Sequence, residues 1–252
     1  METISGTTLA VRRTGTGSPV VLVHGSAGGL ESWDPVLPFL DGFEVWTYTR
    51  RGYPPSGPAI DKTFADDVAD LSAVLAEVGR PAHLVGGSYG GTVVLHAARE
   101  GAQVRSLTVW EAPLYSAGPP LRPVLDRYRR LLDDGDLATA SRLFAERVAR
   151  VPVAMLDALG DGVAMERAEA VGCLSDLEAM AADDPDLGRF AGIAVPTLLV
   201  QGSDTWSPMP ETMDALAAVL PHASRATLAG LDHFATHTAP ELWAATLREF
   251  LP

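Results

Sequence analysis

The chain has 252 residues, 47% of them hydrophobic, and a formal net charge of −13. This length is enough to bury one substantial core and too short for two large domains. The acidic balance argues against nucleic-acid binding, because phosphate contacts require clustered lysine and arginine. A single cysteine, Cys173, excludes an intrachain disulfide and any cysteine-based metal site. We therefore expect no nucleic-acid partner and no metal.

The first residues, Met1 to Gly6, lack the basic and apolar regions of a signal peptide. No apolar run approaches the length of a membrane span, so we expect no membrane partner and a cytoplasmic location. Basic charge comes almost entirely from arginine, with Lys62 as the only lysine. This bias is typical of a bacterial genome rich in G and C.

Apolar runs with short polar exits recur along the chain at the spacing of alternating strands and helices. An edge hairpin is predicted over residues 3–13, with a turn at Gly6. Further strands are predicted at 20–23, 43–48, 82–85, 104–110, 196–200 and 224–228. Helical spacing of apolar residues predicts helices at 64–79, 210–220 and 240–250. Near-continuous apolar strands are typical of a parallel sheet that is covered on both faces.

The segment from 113 to 195 interrupts this alternation. It contains helical patterns around 121–132, 137–148 and 164–182 and no convincing strand. Open α/β sheets bind ligands at the carboxyl ends of their strands, so an insertion there predicts a helical lid. Packing helices with no gating role are the alternative interpretation. The predicted division is an α/β core of residues 1–112 and 196–252 and a helical cap of residues 113–195.

A nucleophile motif lies between the third buried strand and a helix. Residues 86–91 read Gly-Gly-Ser-Tyr-Gly-Gly, which places Ser88 in a sharp turn that only flanking glycines permit. The turn holds the serine hydroxyl clear of the backbone at the start of a helix, where amide dipoles favour negative charge. Ser88 is the predicted nucleophile.

A serine nucleophile needs a base that is itself oriented by a third group. Of the six histidines, His233 follows a turn between the last strand and the last helix, and is the predicted base. His237, four residues later, is the rival on spacing. Asp204 at the end of a strand completes the chain order Ser, Asp, His and is the preferred acid. Glu111, at the end of the preceding strand, remains the alternative acid.

Acyl transfer also needs N–H donors for the oxyanion of the tetrahedral intermediate. The backbone N–H of Tyr89 is one candidate, because it directly follows the nucleophile. The glycine-rich turn after the first buried strand offers Ser26 N–H as the second. This turn does not match the phosphate-binding motif G-x-x-x-x-G-K, because no lysine follows it.

Four features together resemble the α/β-hydrolase superfamily over essentially the whole chain. They are His24-Gly25 after a strand, the elbow at Gly86–Gly90, Asp204 after Gly202, and His233 before the last helix. The resemblance implies an eight-stranded, mostly parallel sheet flanked by helices, an inserted helical cap, no cofactor, and an Asp-His-Ser triad. By the same resemblance, His24-Gly25-Ser26 looks like the family's oxyanion turn.

Two positions depart from the family's pattern. The usual Asp-x-Arg-Gly-x-Gly-x-Ser turn is replaced by residues 49–56, Thr-Arg-Arg-Gly-Tyr-Pro-Pro-Ser, and Pro54 predicts a local change in the loop. The acid commonly lies three residues past the strand-end glycine, where this chain has Thr205. Asp204 is one residue early, which keeps Glu111 open as the acid.

The serine at the elbow points to acyl transfer, since relatives that resemble dehalogenases and epoxide hydrolases have aspartate there. The leading hypothesis is a serine hydrolase that cleaves a small, mostly apolar ester, lactone or thioester through an acyl-enzyme. A lyase, cyclase or acyltransferase with the same pocket is the alternative, and a receptor without turnover is a third. The pocket is expected to be lined by Trp33, Tyr89, Leu114, Tyr115 and Trp206, with a plain core role left open for both tryptophans. The sequence predicts no oligomeric state.

Overall fold

The protein is built around a mostly parallel β-sheet. The structure, a computed structural model, describes residues 2–4 and 7–251, so the predicted turn at Gly6 lies outside the described residues. The strands are Glu2–Ile4 (β1), Thr7–Gly15 (β2), Ser18–Val23 (β3), Phe43–Thr49 (β4), Ala82–Gly87 (β5), Val104–Trp110 (β6), Thr197–Gly202 (β7) and Ala223–Leu228 (β8). Each predicted strand is present, within a few residues of its expected bounds.

The strands lie in the order β1-β2-β4-β3-β5-β6-β7-β8. A main sheet of β2 to β8 is extended at one edge by the three-residue β1, which pairs antiparallel with β2. β2 also pairs antiparallel with β4, and every pair from β4 through β8 is parallel. The carboxyl ends of these parallel strands therefore meet at one edge of the sheet.

Helices cover both faces of the sheet. They are Phe64–Val78 (α1), Tyr89–Arg99 (α2), Arg122–Asp133 (α3), Leu137–Arg147 (α4), Val153–Leu159 (α5), Arg167–Ala182 (α6), Met209–Val219 (α7), Ala235–Thr238 (α8) and Pro240–Phe250 (α9). Within residues 2–4 and 7–251, none of the helices is long and apolar enough to cross a membrane.

Alternation along β3 shows why its apolar run is continuous. Val21 and Val23 point into the core shared with α1 and α2, whereas Val20 and Leu22 point into the core shared with Trp243 of α9. Successive side chains of a strand face opposite sides, so a strand covered on both faces needs apolar residues at every position. The predicted α/β-hydrolase architecture is confirmed.

The segment between β6 and β7 is helical wherever it has regular structure. It carries α3, α4, α5 and α6, together with short 3-10 turns. Sequence patterns predicted three of these helices and missed α5, whose seven residues include one buried apolar side chain, Leu156. A single buried position leaves no helical period to detect. The insertion follows the carboxyl end of β6, which brings it to the edge where the parallel strands end.

Candidate active site

Ser88 lies in the turn between β5 and α2, in a strained backbone conformation. Its φ is 52° and its ψ is −124°, a region that residues with a Cβ rarely adopt. Its N–H donates to Trp110 O at 2.8 Å, and its carbonyl accepts from Gly91 N at 2.8 Å. These bonds on either side of the residue hold the turn and leave the half-buried hydroxyl at the carboxyl edge of the sheet.

The elbow depends on glycines because backbone segments pass very close to one another. A Cβ at Gly86 would come within 2.2 Å of Gly90 O, and a Cβ at Gly90 within 2.1 Å of Val23 O. A Cβ at Gly25 would come within 3.1 Å of Ser88 Cβ. The glycines therefore let β3, β5 and α2 approach closely enough to place the serine beside the turn after β3.

His233 is held by Glu111. Its Nδ1 lies 2.6 Å from Glu111 Oε2, and its backbone carbonyl accepts a bond from Trp110 Nε1 at 3.1 Å. The Glu111 side chain is fully buried, and it also accepts bonds from Gly202 N at 2.8 Å and Thr205 Oγ1 at 3.0 Å. A carboxylate so placed fixes the ring orientation and favours a proton on Nδ1, which leaves Nε2 available as an acceptor.

The structure contradicts the preference for Asp204 as the partner of His233. Asp204 is exposed, and its carboxylate accepts a bond from Ser203 Oγ at 2.8 Å. Thr205, which occupies the position where the family commonly has its acid, turns inward and donates to Glu111 instead. The acid beside the histidine therefore comes from the end of β6, the alternative that the sequence left open. His237, the rival base, lies at the same cavity, but its Nδ1 contacts Thr236 Oγ1 at 3.0 Å rather than a carboxylate.

The turn after β3 lies against the elbow. His24 donates from Nδ1 to Gly25 O at 2.7 Å and accepts at Nε2 from Arg50 N at 2.9 Å, so a neutral ring satisfies both contacts. Burial, followed by the charge of Arg50, lowers the pKa of His24 from 6.5 to about 3. His24 is therefore a fixed structural element of the turn rather than a base. Ser26, the predicted oxyanion donor, follows it and lines the same cavity as Ser88.

A cavity of about 380 Å³ opens at this edge of the sheet. Ser88, Ser26 and His233 lie on its wall, as do Trp33 and Tyr115, two of the predicted pocket residues. The helical insertion contributes much of the remaining surface, which sequence reasoning missed: Pro113, Phe144, Val148, Ala149, Val151 and Met180. Among the residues that the structure describes, no Asp, Glu, Lys or Arg lines this cavity.

Three predicted pocket residues lie elsewhere. Tyr89 is buried outside the cavity lining, and its Oη donates to Asp67 Oδ2 at 2.7 Å. Leu114 is buried in the large hydrophobic core and does not line the cavity. Trp206 does not line the cavity. Its indole lies behind His233, with 5.8 Å between ring centroids, and its Nε1 donates to Ala149 O at 3.0 Å. Trp206 therefore joins the insertion to the loop that carries His233.

The described residues contain no group of three or more His, Cys, Asp or Glu side chains arranged to hold a metal ion. The arrangement that the site does offer is a strained serine, a histidine oriented by a buried carboxylate, and a glycine-rich turn, all at one apolar cavity. This combination suits nucleophilic attack on a carbonyl carbon.

Comparisons with known proteins place the chain in a family. The model of the Alpha/beta hydrolase family matches residues 20–246. A pimeloyl-acyl-carrier-protein methyl ester esterase from Photobacterium profundum is 29% identical, over 97% of this chain and 99% of the relative. The chain therefore belongs to the alpha/beta hydrolase family.

Solved structures share the fold over the same extent. An alpha/beta hydrolase from Sphaerobacter thermophilus has a TM-score of 0.83 and 29% identity, covering 99% of this chain and 98% of that one. An enol-lactonase from Burkholderia xenovorans has a TM-score of 0.75 and 22% identity, covering 98% of this chain and 97% of that one.

Proposed function

We propose that the protein is a serine hydrolase that cleaves a small, uncharged, mostly apolar ester, lactone or thioester. Ser88 is the nucleophile, His233 the base and Glu111 the acid that orients it. The observation that carries the assignment is the 2.6 Å contact between His233 Nδ1 and Glu111 Oε2 on the same cavity as Ser88. The methyl ester esterase that resembles this chain over its full length supports an ester-type bond.

In the proposed reaction, Ser88 Oγ attacks the substrate carbonyl while His233 Nε2 accepts its proton. The N–H groups of Ser26 and Tyr89 donate to the developing oxyanion. The imidazolium, stabilised by Glu111, then returns the proton to the departing alcohol or thiol. Water, activated by the same nitrogen, attacks the acyl-enzyme, releases the acid and restores Ser88.

The cavity supports the proposed substrate class. Its volume of about 380 Å³ lies at the small end of ligand pockets. Burying a charged group there would carry a desolvation cost with no opposite charge among the lining residues to offset it. We assign residues 113–195 as a cap, since Phe144, Val148 and Val151 supply the wall opposite the sheet edge.

The decisive experiment combines labelling with turnover. The purified protein is treated with a fluorophosphonate probe and assayed with p-nitrophenyl acetate, butyrate and octanoate, with Ser88→Ala as the control. We expect labelling and hydrolysis that Ser88→Ala abolishes. Turnover retained by Ser88→Ala would reject the acyl-enzyme and leave a chemistry that uses His233 alone as base. Labelling without hydrolysis would favour transfer to an acceptor other than water.

A further inference from the structure

A cluster of four charged side chains is buried beneath the site and takes no part in the proposed reaction. Arg50 and Asp176 are fully buried, Asp67 is 1% exposed and Lys62 is 2% exposed. Two positive and two negative groups give the cluster no net formal charge. Lys62 Nζ lies 2.6 Å from Asp176 Oδ1 and 3.2 Å from Asp67 Oδ2, so it links the two carboxylates.

Asp176 is the centre of the cluster and comes from α6 of the helical insertion. Its two carboxylate oxygens accept five hydrogen bonds, from both terminal nitrogens of Arg50, from Lys62, from Tyr53 Oη and from Ser26 Oγ, at 2.6–2.8 Å. Burial alone would favour the protonated form, but the charges of Arg50 and Lys62 hold the pKa of Asp176 well below its usual range. The carboxylate is thus ionised and saturated with donors.

The cluster is hydrogen-bonded to four successive residues of the turn after β3, His24 to Ala27. Arg50 donates from Nε to His24 O at 3.0 Å and from Nη2 to Gly25 O at 2.9 Å. Ser26 Oγ donates to Asp176 Oδ2 at 2.7 Å. The N–H of Ala27 donates to Tyr53 Oη at 3.1 Å, and that hydroxyl donates in turn to Asp176. Four residues of the turn are therefore tied to two buried ions.

The same cluster holds Tyr89, whose N–H is the other proposed oxyanion donor. Tyr89 Oη donates to Asp67 Oδ2 at 2.7 Å. The guanidinium of Arg50 lies 4.2 Å and the ammonium of Lys62 4.8 Å from the centre of the Tyr89 ring. The side chain of the residue after the nucleophile is thereby fixed between the charges that also fix the turn.

Stability alone is a weak explanation for such a cluster. Buried ion pairs are desolvated at high cost, and apolar side chains of similar volume often stabilise a core equally well or better. The bonds described here instead converge on the two backbone segments that carry the proposed oxyanion donors. Donors of this kind work by being held in place before the charge develops.

We propose that Asp176 and Tyr53 are positioning residues for the oxyanion hole, through which docking of α6 sets the geometry of the Ser26 and Tyr89 donors. This inference rests on the proposed hydrolase function. The insertion then has two tasks, to line the cavity and to hold the backbone donors that face the nucleophile.

Tyr53→Phe is the main test, since it removes one hydroxyl and keeps the ring. We expect kcat to fall about tenfold to a hundredfold with KM within about twofold of wild type, because a small misplacement of catalytic groups acts on the transition state. Affinity for a boronic acid transition-state analogue should fall by the same factor. Tyr128→Phe is the matched control: Tyr128 is fully buried, lies outside the cavity lining, and donates its hydroxyl to Ala170 O at 3.0 Å.

Equal kcat in Tyr53→Phe and Tyr128→Phe would overturn the inference, as would a raised KM with kcat unchanged.

A second pair of variants tests the inference if Tyr53→Phe does not fold. Ser26→Ala removes a single bond to Asp176, whereas Ser175→Ala removes a buried hydroxyl of α6 whose bond stays within the helix. Only the first should lower kcat. Absence of labelling and hydrolysis in the wild type would instead reject the proposed function, and this inference with it.

Discussion

Glu111 adopts a left-handed backbone conformation, with a φ of 43°, directly after β6. A positive φ in a residue other than glycine costs about 1–3 kcal/mol and persists where the surroundings impose it. Here the side chain gains bonds from Gly202 N, Thr205 Oγ1 and His233 Nδ1. The strained backbone of Glu111 therefore places its buried carboxylate beside His233, and the three hydrogen bonds offset the strain.

Replacing each carboxyl group by its amide shows which of the two acids, Glu111 or Asp204, supports His233. We expect Glu111→Gln to lower kcat by about a thousandfold or more, because the amide favours the wrong tautomer of His233 and does not stabilise the imidazolium. Asp204→Asn, an exposed change at the adjacent strand end, should stay within about twofold of wild type. Steady-state kinetics with an activated ester measure both.

A relocated acid provides the converse experiment. Thr205 lies within hydrogen-bond distance of Glu111, so Thr205→Asp in the Glu111→Gln background puts a carboxylate near the His233 ring. We expect this double variant to recover part of the lost kcat. A larger loss in Asp204→Asn than in Glu111→Gln would contradict the assignment.

At the scale of elements, the elbow exists because β3, β5 and α2 approach within backbone contact. Helix interiors normally favour alanine over glycine by about 1 kcal/mol. At Gly90 we expect alanine to be less stable than glycine, since a Cβ would meet Val23 O at 2.1 Å. We expect Gly90→Ala to lower the free energy of unfolding by about 2 kcal/mol or more.

Urea denaturation measures this loss against Gly192→Ala as the matched control. Gly192 is exposed, and a Cβ there would meet no atom within 4 Å. It should leave stability nearly unchanged. A Gly90→Ala protein as stable as wild type would mean that β3 and α2 can separate without loss.

If the proposed hydrolase function holds, the helices of the insertion should set the length of the acyl group that the cavity accepts. Phe144 of α4 lines the cavity, so Phe144→Leu enlarges it and should raise the ratio of octanoate to acetate kcat/KM several-fold, at about 0.8 kcal/mol for each methylene newly buried. Phe190→Leu is the control, because Phe190 is fully buried and lies outside the cavity lining. An equal ratio in both variants would refute a selective role for α4.

At the scale of the whole molecule, buried titratable groups make stability depend on pH. The pKa of His24 is about 3 in the folded protein and 6.5 when unperturbed, so the unfolded chain binds a proton that the folded chain excludes. The contribution of His24 to stability is therefore present above pH 6.5 and is lost as the pH drops toward 3, at about 1.4 kcal/mol for each pH unit. The lowered pKa of Asp176 adds a loss in the same direction below about pH 4.

We accordingly expect the free energy of unfolding to be about 2 kcal/mol lower at pH 5 than at pH 7. Urea denaturation across this range measures it, and the NMR signals of the His24 ring should show no protonation at pH 5. A His24 ring that titrates near pH 6.5 in the folded protein would contradict the expectation.

Local sequence patterns predict most of the strands and helices and the turn that carries Ser88. The remaining features depend on contacts between distant parts of the chain. The runs at 20–23 and 82–85 predict strands because both faces of the sheet are covered, and the glycines around Ser88 predict the elbow because the turn needs them. The partner of His233 depends on how the ends of β6 and β7 meet, which no local pattern encodes. Asp176 is 126 residues from Arg50, so their pairing is invisible until the insertion is docked.

The burial of Lys62 has a practical consequence. It is the only lysine of the chain, and its ammonium is enclosed by Asp67 and Asp176. Reagents that acylate side-chain amines should therefore leave the native protein unmodified at lysine and modify it only when the contacts of Lys62 with Asp67 and Asp176 open. The rate of that modification measures how often this buried cluster opens, independent of any substrate.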